Sequence, residues 1–205
     1  MTSEEKTGGL PTWAKVLIGL VAGGMVIGIL AIVGGVWYFG NMMKQAQDPT
    51  AIAKTARQIA EFPDPLPQGY QYKLALPIAG INTVAIEHDP DKQMIMFVSY
   101  PQNDKSDPKK LIDEVYEKGF SPPGQGGGGK IEEVKSRGTE LVGGAEMPYI
   151  VGSMTDKSGT KIEGMIGCVV SKDKGKTVLI YGMQPGEGAY RLDVTKDLLK
   201  TIKTF

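Results

Sequence analysis

From Val16 to Phe39 the chain carries no Asp, Glu, Lys, Arg or His, and Lys15 and Lys44 bracket the run. At about 1.5 Å per residue, a helix of that length reaches roughly 36 Å, enough to cross a hydrocarbon core of about 30 Å with some tilt. Trp13 stands at one mouth and Trp37 with Tyr38 at the other, where amphipathic rings favour the headgroup level. The expectation is a short polar tail over 1–15 and one transmembrane helix over 16–40, so the lipid bilayer is the first partner.

A cleaved signal peptide is the rival reading. Its apolar core runs about 7–15 residues and ends at a small-x-small site. This run is longer, and Asn41-Met42-Met43-Lys44-Gln45 offers no such site. A lipoprotein signal needs a Cys just after the run, whereas the single Cys is Cys168. An uncleaved signal-anchor is preferred. Lys6, Lys15 and the terminal amine on one side nearly balance Lys44, Lys54 and Arg57 on the other, so charge does not decide the orientation. The C-terminal domain is placed on the non-cytoplasmic side, because no strongly basic stretch lies between it and the membrane.

Within the run, Gly24, Gly28, Ala31 and Gly35 fall within about 60° of one another at about 100° per residue. Such a stripe of small side chains lets a second helix approach closely. It is the candidate association site, for a partner helix or a second copy. Glycine is also simply common in membrane helices. Gly19 and Gly23 form a second small pair on another side.

The formal net charge is zero. It stays zero without the first 40 residues, because Glu4 and Glu5 cancel Lys6 and Lys15. No basic field draws nucleic acid, which is excluded as a partner. The remainder is long enough for one domain with its own core.

Residues 41–67 read as a juxtamembrane helix and a Pro-rich connection. Asp48-Pro49 is a helix start, Ile52, Ala56 and Ile59 recur at helical spacing over Pro49–Glu61, and Pro63, Pro65 and Pro67 stop it. A second start is Asp107-Pro108, followed by Leu111, Ile112, Val115 and Tyr116, with Gly119 as the stop. A third helix covers Arg191–Lys203, with Val194, Leu198, Ile202 and Phe205 along one stripe. Strand patterns fill Tyr70–Leu76, Ile81–Glu87, Gln93–Tyr100, Ile131–Val142, Met147–Thr155, Lys161–Ser171 and Thr177–Met183. Asp89-Pro90-Asp91-Lys92, the Lys-Ser-Gly at 157–159 and the Lys-Asp-Lys-Gly at 172–175 read as turns. The expectation is an α+β domain over 68–205. An antiparallel sheet of about six to seven strands is covered by two to three helices, behind one transmembrane helix.

That order, closed by Leu198-Leu199-Lys200-Thr201-Ile202-Lys203-Thr204-Phe205, resembles the PsbP-like family of small α+β domains over roughly 62–205. The resemblance implies a binding or assembly module beside a larger complex, without catalysis. The transmembrane anchor departs from that family, so a place beside a photosystem is not implied.

Gly124-Gln125-Gly126-Gly127-Gly128-Gly129-Lys130 matches a phosphate loop up to its last position, where Ile131 replaces the required Ser or Thr. It also follows a helix and leads into a strand, the reverse of the phosphate-loop context. It reads as a flexible linker, and no nucleotide is expected. His88, the only histidine, is flanked by Glu87, Asp89 and Asp91. A cation could use such a cluster, but a charged hairpin turn explains it, and no metal or other cofactor is expected. Cys168, between Gly167 and Val169 on an apolar strand, reads as a small core residue rather than a nucleophile. Met94, Met96, Met165 and Met183 read as apolar gap-fillers in strands. No catalytic residue is assigned. The function expected is an anchored interaction domain, an accessory or assembly factor of a membrane complex. The alternatives are an anchored carrier of a small apolar ligand and, below it, a hydrolase.

Overall fold

The computed structural model describes residues 46–78, 80–101, 107–118, 131–155, 161–171, 175–184 and 188–205, which belong to one unit, Ala46–Phe205. The uncharged run, with Gly24, Gly28, Ala31 and Gly35, lies outside the described residues. So do the Gly119 stop, the Gly-rich loop at 124–130, the turn at 157–159 and positions 172–174, as do the side chains of Val115 and Tyr116.

Seven strands, β1 (Tyr70–Ile78), β2 (Ile81–His88), β3 (Gln93–Pro101), β4 (Ile131–Val142), β5 (Ala145–Thr155), β6 (Lys161–Ser171) and β7 (Lys176–Met183), form one sheet. Its order is β1-β2-β3-β7-β6-β5-β4, and every pairing is antiparallel. Two meanders therefore meet at the β3–β7 pair, where Phe97 lies opposite Ile180. Among the described residues three helices accompany the sheet: α1 (Pro49–Ile59), α2 (Pro108–Lys118) and α3 (Leu192–Lys200). The α+β class and the antiparallel sheet stand as expected.

Period-two alternation sends neighbouring side chains to opposite faces. Val84, Ile86, Ile95, Phe97, Met165, Val169, Val178 and Ile180 build one core, closed by Ile52, Ala56 and Ile59 of α1 and Leu198 and Leu199 of α3. On the other face, Val98, Ile150, Ile166, Cys168, Leu179 and Tyr181 form a second cluster with Ile112 of α2. The central strands thus bury both faces, which is why β6 and β7 read as nearly continuous apolar runs.

Local chemistry sets the element ends. Asp48 caps α1 by accepting from the Thr50 and Ala51 amides at 2.8 and 3.0 Å. At the other end of α1, buried Lys176 donates to the Gln58 and Ile59 carbonyls, each at 2.6 Å, a cation placed where the helix dipole is negative. The helix ends at Ile59 rather than Glu61 because Glu61 pairs elsewhere: its amide donates to the Thr204 carbonyl at 2.8 Å and its carbonyl accepts from Lys203 at 3.1 Å. The same pairing ends α3 at Lys200, short of the expected Lys203. Ile202 and Phe205 are buried as their spacing implied, but both lie beyond the end of the helix. Between β4 and β5, Gly143 and Gly144 hold φ of 57° and 78°, the pair of positive values a two-residue hairpin demands.

Candidate functional site

Among the described residues, the buried polar side chains Gln93, Gln184 and Thr195 gather where the β2–β3 turn meets the start of α3. Gln93 opens β3 and is 0% exposed. Its Nε2 donates to the Arg191 carbonyl and to Thr195 Oγ1, both at 3.0 Å, and its Oε1 accepts from the Arg191 amide at 2.9 Å. Arg191 stands at the head of α3 without a side-chain cap hydrogen bond, and Gln93 anchors both of its backbone groups to β3. Thr195 Oγ1 also accepts from Tyr190 Oη at 2.7 Å. Gly182 leaves room for this pair, since a Cβ there would run into both hydroxyls.

The turn adds a charged layer. Asp91 Oδ2 lies 2.9 Å from His88 Nδ1 and 3.1 Å from an Arg191 guanidinium nitrogen, and the other guanidinium nitrogen reaches Asp193 at 2.6 Å. That guanidinium holds the Asp193 carboxyl below its ordinary range. Gln184 donates to the Asp91 carbonyl at 3.0 Å. Tyr70 packs its ring 4.7 Å from His88 and donates its hydroxyl to the Val194 carbonyl at 2.6 Å. Burial, followed by the nearby Asp197 and Asp193 carboxylates, pushes the Tyr70 phenol up to about 12.

This geometry disperses the acidic residues around His88. Alternation turns Glu87 to the opposite face, where Lys73 meets it at 3.0 Å, and Asp89 pairs with Lys92. Only Asp91 stays with His88. Among the described residues, no group of three or more His, Cys, Asp or Glu side chains is placed to hold a metal ion. His88 is thus a member of a charged hairpin turn that ties the sheet to α3. Cys168 is 0% exposed, and burial pushes its thiol up to about 12, far from the thiolate a nucleophile needs. Sequence reasoning missed Gln93, Gln184, Tyr190 and Thr195. The one available signal is a Gln opening an otherwise apolar strand.

A second latch joins α3 to the far edge of the sheet. Lys196 pairs with Glu140 of β4, and its ammonium sits 5.1 Å from the centroid of the Tyr149 ring. The phenol end of Tyr149 lies over Gly138, where a Cβ would be 2.5 Å from the phenol oxygen.

Neither sheet edge invites strand addition. On β1 the register shifts between Tyr72 and Leu74, and Pro77 lacks an amide donor. On β4 it shifts twice, between Ile131 and Glu133 and between Val134 and Ser136, and Glu132, Glu133, Lys135 and Arg137 stand exposed. Bulges, proline and charge are the devices that blunt edges. The flat of the sheet differs. Helix α2 lies over β5 and β6, while Ile81, Met96, Tyr100 and Met183, on the same face of β2, β3 and β7, are half-buried.

Among the described residues, no helix is long and apolar enough to cross a membrane, and the run Val16–Phe39 lies outside them. No protein-family model matches this chain, and no curated protein matches it.

Proposed function

We propose that the chain is a single-pass membrane protein displaying an α+β interaction domain, an accessory or assembly factor that acts by binding and without catalysis. The observation that carries this reading is the uncharged run Val16–Phe39, followed a few residues later in the sequence by a unit with its own core from Ala46. Support for binding over catalysis comes from the two side chains best suited to reaction chemistry. Cys168 is buried as a neutral thiol, and His88 is engaged with Asp91 and Tyr70. The resemblance to PsbP-like domains favours the same role.

The partner acts through the span, the domain or both, and the stripe at Gly24, Gly28, Ala31 and Gly35 is the association surface proposed for the span. The domain lies on the non-cytoplasmic side. An impermeant thiol reagent should label a cysteine placed at Gly126, in a Cys168→Ser background, on intact cells; labelling only after lysis would reverse that orientation. The role itself is tested on native gels in mild detergent. The full chain should migrate in an assembly larger than itself, and removal of residues 46–205 should change that assembly. Migration of the intact chain as a lone protomer would overturn the proposal.

A further inference from the structure

We draw no further inference here: the strongest candidate, the half-buried apolar face of the sheet at Ile81, Met96, Tyr100 and Met183 beside α2, carries nothing because the structure does not show what covers it.

Discussion

Gln93 grips Arg191 by both backbone groups, donating to its carbonyl at 3.0 Å and accepting from its amide at 2.9 Å. The two residues are 98 positions apart, and one amide side chain fixes where α3 begins against the sheet. A buried donor or acceptor left without a partner costs about 1–3 kcal/mol. Gln93→Leu would orphan the Arg191 amide and carbonyl while preserving most of the volume. We expect a loss of about 3 kcal/mol, read as a lower urea midpoint of a fragment spanning 46–205. Gln71→Ala, at an exposed position, should stay within about 0.5 kcal/mol. Equal midpoints for the two variants would show that the amide bridge is dispensable.

Alkali should unfold the domain through its tyrosines. Burial is the largest cause in raising Tyr70, Tyr72 and Tyr100 to about 12 from an ordinary 10.0, and it pushes Tyr181 and Tyr190 higher still. Cys168 rises from 9.0 to about 12 by burial alone. A raised folded value means that the unfolded chain ionises first. The stabilisation is therefore complete below about pH 9–10 and drains away as pH climbs toward about 12. Phenolate absorbance and circular dichroism, followed together, should show these tyrosines ionising only as the fold is lost. Full ionisation near pH 10 with the structure intact would contradict the burial described above.

Two glycines make room for particular side chains. A methyl at Gly138 meets the Tyr149 ring, 2.6 Å from Cζ, and one at Gly182 meets Tyr190 and Thr195. Each Gly→Ala change should cost about 1–3 kcal/mol by overpacking, against about 0.5 kcal/mol or less for Ser136→Ala on the exposed edge. Pairing Gly138→Ala with Tyr149→Leu should recover part of the loss, because the two sites share one contact. Strict additivity in denaturant titrations would place the strain elsewhere.

What the sequence revealed follows how local each cause is. Asp48-Pro49 and the triple proline after Phe62 set α1 within a few residues, and both act locally. Alternation marked the strands, and Ile166 and Cys168, two positions apart on β6, share a face. The β3–β7 pairing is not local, since α2 and three strands intervene, so the sheet order had to come from the structure. Phe205 was legible as buried but not as lying beyond the helix, because the partner that ends α3 is the Glu61 backbone. His88 had a readable neighbourhood but an unreadable direction: the turn gathers Asp91 and disperses Glu87 and Asp89. Gln93 showed only as a polar residue opening an apolar strand, and its role was unreadable because its partners are backbone groups and a threonine far along the chain.

Helix association is expected to depend on the stripe. Lipid gives two apolar helices no hydrophobic reason to meet, so close backbone approach and packing must supply it. Gly28→Leu fills the middle of the Gly24, Gly28, Ala31 and Gly35 stripe and should abolish crosslinks formed in mild detergent. Gly19→Leu, facing another side, should leave them largely intact. Crosslinks that survive Gly28→Leu, or are lost equally in both variants, would make the helix a passive tether.

The anchor is the claim on which the proposed role depends, and flotation tests it most directly. Membranes carrying the full chain are washed in high salt and urea, then floated through a density gradient beside membranes from cells making a chain deleted for 16–39. The full chain should rise with the lipid after both washes, and the deleted chain should stay in the soluble fraction with a folded 46–205 domain. A full chain stripped by salt or urea, or a deleted chain that floats equally well, would contradict the account.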